Sequence, residues 1–61
     1  MKTANVELYS EGKLHHHTYF EEVRDFNKII WAPLHVVFEM KDDTIIAYKA
    51  DRVRELTTHI E

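Results

Sequence analysis

Three consecutive histidines, His15-His16-His17, are the most conspicuous chemistry in this sequence. Neutral imidazole is the commonest transition-metal ligand. Along a strand, however, neighbouring side chains point to opposite faces, so only His15 and His17 can share an ion. A third donor would have to come from His35, His59, Glu7 or a second chain. The sequence has no cysteine, which excludes disulfides and every Cys-containing zinc spacing. The reading is of solvated or packed strand histidines, with His15 and His17 as a minor metal alternative and no cofactor expected.

Acid–base or nucleophilic chemistry finds little support. The adjacent carboxylates Glu21-Glu22 and Asp42-Asp43 sit in an expected helix start and an expected turn, and do not converge on one substrate. Ser10 is the only serine and Gly12 the only glycine, so neither a serine triad nor a glycine-rich phosphate loop is indicated. No catalytic residue is assigned, and an enzyme is not expected. Two binding patterns remain. Tyr48, Lys49, Arg52 and Arg54 form a short basic and aromatic cluster that could track a nucleic-acid backbone, although Asp51 and Glu55 interleave with it. Tyr9, His15 and His17, joined by Tyr19 if the strand runs past Thr18, form an aromatic and imidazole face with Glu7 and Lys13 at its rim. Tyrosine offers contact area and a polar tip at low entropic cost, which suits a protein interface.

These residues need elements to hold them. Asn5 to Tyr9 alternates polar and apolar, the pattern of a half-buried strand. Gly12 is the strongest turn signal, so a hairpin is expected over Asn5–His17 with the loop Ser10-Glu11-Gly12, setting Tyr9 opposite Lys13 and Leu8 opposite Leu14. From Phe20 the spacing changes. Phe20, Val23, Phe26, Ile30 and Trp31 fall at helical intervals, Thr18 and Glu21 match a capping box, and Pro33 is a natural stop. The spacing predicts an amphipathic helix within Thr18–Trp31. A second hairpin is expected over Leu34–Lys49 around the polar turn Lys41-Asp42-Asp43, with central strands because both faces are apolar. The segment Asp51 to Glu61 is readable as helix or strand.

The expected fold is therefore α+β, a ββαββ order with a C-terminal helix or strand. Its expected core is Val6, Leu8, Leu14, Phe20, Val23, Phe26, Ile30, Trp31, Val36, Phe38, Ile46 and Val53. Extended backbone over residues 21–30 would favour the alternative, an all-β small barrel of duplicated β units. The duplication rests on Val23-Arg24-Asp25-Phe26 with Ile30, which matches Val53-Arg54-Glu55-Leu56 with Ile60. A tyrosine precedes each copy, Tyr19 and Tyr48.

With 61 residues the chain has room for a single small domain. A 31% charged, 44% hydrophobic composition is that of a folded globular chain, and a net charge of −3 marks neither a polybasic nor a strongly acidic partner. No run is apolar enough to span a bilayer and no leader pattern is visible, so a cytoplasmic protein is expected. A core this small supplies roughly 3–5 kcal/mol, and a homodimer or higher oligomer is expected to make up the deficit. In size, mild acidity and hairpin–helix–strand order the layout is similar to small phage-encoded inhibitors, such as those that block uracil-DNA glycosylase. No motif carries that likeness and no residue role transfers with it. It implies a phage or mobile-element inhibitor or adaptor. The function expected is non-enzymatic protein binding through the first hairpin, with nucleic-acid binding through Lys49, Arg52 and Arg54 as the alternative.

Overall fold

The computed structural model describes residues 1–10 and 17–61. Its elements are β1 (Lys2–Tyr9), β2 (Thr18–Arg24), β3 (Phe26–Trp31), β4 (His35–Met40), β5 (Ile45–Lys49), a 3-10 turn (Ala50–Arg52) and β6 (Val53–Ile60). They form two three-stranded antiparallel sheets, ordered β2-β1-β6 and β3-β4-β5. The α+β expectation is thereby corrected: residues 18–31 are two strands, not a helix, and the C-terminal segment is a strand. The layout likeness to the phage inhibitors rested on that helix and lapses with it.

The physical reason lies in two insertions. β2 runs into β3 through Asp25, a bend with φ of 61°. Aspartate tolerates this left-handed region better than most residues. Its N–H donates to the Lys2 carbonyl at 2.8 Å. One step on, the pairing of β3 with β4 shifts between Phe26 and Lys28, so Asn27 is a bulge residue. Lys2 Nζ holds the Asn27 carbonyl at 3.0 Å. Each insertion adds a residue to a period of two. The inward positions therefore become Val23, Phe26 and Ile29, at the interval of three that imitates a helix. The second copy of the motif behaves alike. The register of β6 against β1 shifts beside Glu7, with Arg54 as the extra residue, and Val53 and Leu56 both pack on the core.

The first hairpin also differs from its expected register. Tyr9 pairs with Thr18 and Leu8 with Tyr19. Ser10 N–H and Oγ both donate to the His17 carbonyl, at 2.8 and 3.2 Å, and close the base of the connection. The expected loop at Ser10-Glu11-Gly12, with Lys13 and Leu14 as strand partners, falls mostly outside the described residues, but the observed pairs replace it. β1, expected at an edge, is the centre of its sheet, and β5, expected to be central, is an edge. The second hairpin is present as expected. Asp43 N–H donates to the Met40 carbonyl and Met40 N–H to the Thr44 carbonyl, with Asp43 left-handed at φ 70°. This is a type I turn closed by a left-handed residue. At the other end of β4, Pro33 and Leu34 make the turn, and Ala32 N–H reaches the His35 carbonyl at 3.0 Å.

The core lies between the sheets: Ala4, Val6, Leu8, Val23, Phe26, Val36 and Phe38, with Ile29, Met40, Tyr48, Val53 and Leu56 packed around it. Phe38 touches Phe26 and Tyr48 edge-on, with centroids 5.4 and 6.0 Å apart. Such edge-to-face pairs add to plain burial. Six expected core residues are in this buried set and Val53 packs against it, while Leu14 lies outside the described residues. Phe20, Ile30, Trp31 and Ile46 are exposed, contrary to expectation. Phe20 and Ile30 fall on outer faces, opposite Glu7 and Val37, and Trp31 is the last residue of an edge strand. The chain ends also meet: Glu61 N–H donates to the Met1 carbonyl and the Met1 ammonium to the Glu61 carbonyl.

Candidate protein-binding surface

The register shift decides what the aromatic residues can do together. Moving a pairing by an odd number of residues turns every side chain to the other face. Tyr9 therefore shares the outer face of its sheet with Thr18 and Phe20, while Tyr19 shares the inner face with Leu8. The expected single face of Tyr9, His15, His17 and Tyr19 is not formed. His17 precedes β2 and is exposed; His15 lies outside the described residues.

Tyr9 and Tyr19 meet differently, through Arg52. The 3-10 turn after β5 carries this guanidinium past the end of β1. There its Nη2 donates to the Tyr9 backbone carbonyl at 3.3 Å and to the Tyr19 hydroxyl at 2.8 Å. Arg52 thus pins the Tyr19 hydroxyl while the residue as a whole stays 37% exposed. Beside it, Tyr48 Oη donates to Glu21 Oε1 at 3.1 Å, tying β5 of one sheet to β2 of the other. Burial, then the Glu21 carboxylate, pushes the Tyr48 phenol up to about 12. The Tyr19–Arg52 and Tyr48–Glu21 pairs thus make one polar-tipped aromatic cluster where the two sheets face each other.

The nucleic-acid residues are dispersed by the same geometry. Arg52 is committed to the tyrosines. Arg54 lies on the outer face of the first sheet, where Nη1 donates to Glu7 Oε1 at 2.7 Å and sits 3.5 Å from Glu55. That hydrogen bond to the Glu7 carboxylate holds the Arg54 guanidinium still higher than usual. Thr18 Oγ1 donates to the other Glu7 oxygen at 2.7 Å, and this bond, with Arg54, depresses the Glu7 carboxyl below its ordinary range against the opposing effect of burial. Glu7 was expected at an exposed rim; its side chain is only 11% exposed. Of the basic cluster, Tyr48 is engaged by Glu21, and Lys49 lies on an exposed edge.

Neither Glu21 nor the linking role of Arg52 is signalled by the local sequence. Trp31, expected inside, is 67% exposed and stands out with Leu34 (74%) at the end of the second sheet. Next to them an open cleft of about 330 Å³ runs between the Pro33–Leu34 turn and Lys49–Asp51. Alternation could have shown the Trp31 position only with the Asn27 bulge already known. Among the described residues no cluster of three potential metal-ligating side chains occurs, and no helix is long and apolar enough to cross a membrane. Compared with protein-family models, curated proteins and solved structures, the chain matches none.

Proposed function

We propose that this chain is a non-enzymatic protein-binding module. Its contact surface centres on Tyr19, with the exposed His17 two residues before it, and it acts by occupying a partner's surface as an inhibitor or adaptor; Tyr9, on the opposite face of the sheet, is not part of that surface. The observation that carries this reading is the Arg52–Tyr19 bond, which fixes a tyrosine that is still 37% exposed. An aromatic side chain already held in place loses little freedom on binding, and interface energy concentrates in such residues. The rival nucleic-acid reading needs free cationic groups, and Arg52 and Arg54 both have internal partners.

The test is partner capture from a nuclease-treated lysate, followed by affinity measurement on the captured protein. Tyr19→Ala is expected to weaken binding by about 2 kcal/mol or more. Arg52→Ala is expected to weaken it less, by freeing a ring that remains present, and Lys49→Ala to leave it unchanged. Capture lost on nuclease treatment, with affinity falling steeply with salt and with Lys49→Ala, would establish nucleic-acid binding instead.

A further inference from the structure

Among the described residues, the edge strands β2, β6, β3 and β5 are not equally guarded. β2 carries Glu21, Glu22 and Arg24. β3 is bulged at Asn27, and β6 is bulged at Arg54 and charged at Arg54 and Glu55. Charges and bulges are the usual means by which an edge avoids pairing with another chain. β5 reads Ile45-Ile46-Ala47-Tyr48-Lys49, pairs with β4 without a bulge, and has one charge at its end. Its burial is correspondingly slight: Ile45 is 66% and Ile46 36% exposed.

The backbone of β5 shows which groups face outward. Met40 N–H donates to the Thr44 carbonyl and Ala50 N–H to the Leu34 carbonyl. Hydrogen-bonded pairs alternate along an antiparallel ladder, so Ile46 and Tyr48 also bond inward to β4. Ile45, Ala47 and Lys49 therefore turn their N–H and C=O groups to the open edge.

We propose that this edge is a self-association surface. A second copy of the chain adds its own β5 antiparallel across a two-fold axis, joining the two β3-β4-β5 sheets into one continuous sheet. The occupant follows from self-complementarity of charge. Outward groups must meet outward groups, which limits the registers. With Ile46 opposite its own copy on the axis, Ile45 lies opposite the partner's Ala47, and Lys49, at the end of the strand, comes beside the partner's acidic turn at Asp43 at both ends. Slipping by about two residues either way takes Lys49 away from that turn, toward the partner's Lys41 in one direction and the partner's Ile45 in the other. Attraction at both ends in one register is what favours a second copy of the chain at this edge. Tyr48 of β5 neighbours Tyr19, but the outward backbone of Ile45, Ala47 and Lys49 lies apart from the Tyr19 side chain, so variants at 47 and 49 test this proposal and Tyr19→Ala the binding partner above.

Sedimentation at tens of micromolar tests it. Wild-type protein is expected at twice the 7.3 kDa chain mass. Lys49→Asp, at an exposed position, is expected to weaken the dimer at least tenfold. Ala47→Pro removes an N–H that no internal bond uses, and is expected to give a monomer with unchanged circular dichroism. Lys49→Asp and Asp43→Lys chains are each expected to be monomeric alone. Mixed in equal amounts they are expected to dimerise, because each end then joins opposite charges. A wild-type monomer at these concentrations, a dimer indifferent to Lys49→Asp, or folded charge variants that stay monomeric when mixed would overturn the proposal.

Discussion

The two sheets solve the same problem in opposite ways. The β2-β1-β6 sheet secures its outer face with polar bonds: Glu7 on the central strand takes Thr18 from one neighbour and Arg54 from the other. All three strands are thereby joined on the side away from the core. The β3-β4-β5 sheet is joined on the core side instead, through the edge-to-face contacts of Phe26, Phe38 and Tyr48. Its outer face has Ile30, Val37 and Ala47 in one row and Ile45 beside Glu39 in the next. One sheet ties all three strands together on its outside; the other carries the exposed Lys28–Glu39 pair there beside apolar residues, and is open at β5. In so small a protein, the polar capacity to cover every face is limited, and here it is concentrated on one sheet.

The comparison can be broken first at Phe38, the shared contact of the aromatic row. Phe38→Ala is expected to cost roughly 3–5 kcal/mol, enough to consume the whole stability of a domain this size, and thermal melting will show it as loss of a cooperative transition. Asp25→Val probes the strand that passes between the sheets. A β-branched residue at positive φ is expected to cost roughly 1–2 kcal/mol, while Asp25→Gly is tolerated, and the two midpoints in urea separate these outcomes.

Acid sharpens the contrast. The Glu7 carboxyl titrates below its ordinary 4.5 in the folded chain. Its contribution is present above that value and is lost as pH falls through the lower folded value. Melting temperature is therefore expected to drop below about pH 4.5, and Glu7→Gln is expected to lower it at neutral pH and flatten that acid limb. Alkali acts on the other sheet. Tyr48 is raised from 10.0 to about 12, so the stability it contributes is complete below pH 10 and declines between 10 and 12. Tyr48→Phe is expected to cost about 1 kcal/mol or less and to remove that decline. The smallest effect is expected from Lys28→Ala, since the Lys28–Glu39 pair is exposed and 3.9 Å long. A change above about 0.5 kcal/mol there would exceed what such pairs contribute.

What the sequence revealed and concealed follows from strand regularity. Val6, Leu8, Val36 and Phe38 lie in uninterrupted alternation, and their burial was legible. The Lys41-Asp42-Asp43 turn was legible because its residue types suit it; Asp42 even accepts two bonds from Thr44, which lower its carboxyl below the ordinary range. Val23 and Phe26 were rightly assigned to the core for the wrong reason, since the bend at Asp25 imitated a helical interval. The pairing of the first hairpin was hidden because Gly12 drew attention to a tight loop, whereas the ladder closes at Ser10 and His17. Tyr19 was named as a binding residue, but its anchor Arg52 was assigned to the rival cluster. Nothing local announces a bond between residues 33 positions apart.

The pairing of the chain's two ends has a kinetic consequence. The β3-β4-β5 sheet is built from strands joined by short turns, so its closure entropy is small. The other sheet must bring β6 to β1 from the opposite end of the sequence, the costliest loop in the molecule. Contacts of such separation slow folding. Until β6 arrives, β1 and β2 form an isolated hairpin, which is marginal alone in water. The open edge at β5 is therefore expected to be complete before β6 has docked. During refolding at high concentration, encounters between chains at that edge compete with the docking of β6, and the yield of native protein is expected to fall as concentration rises.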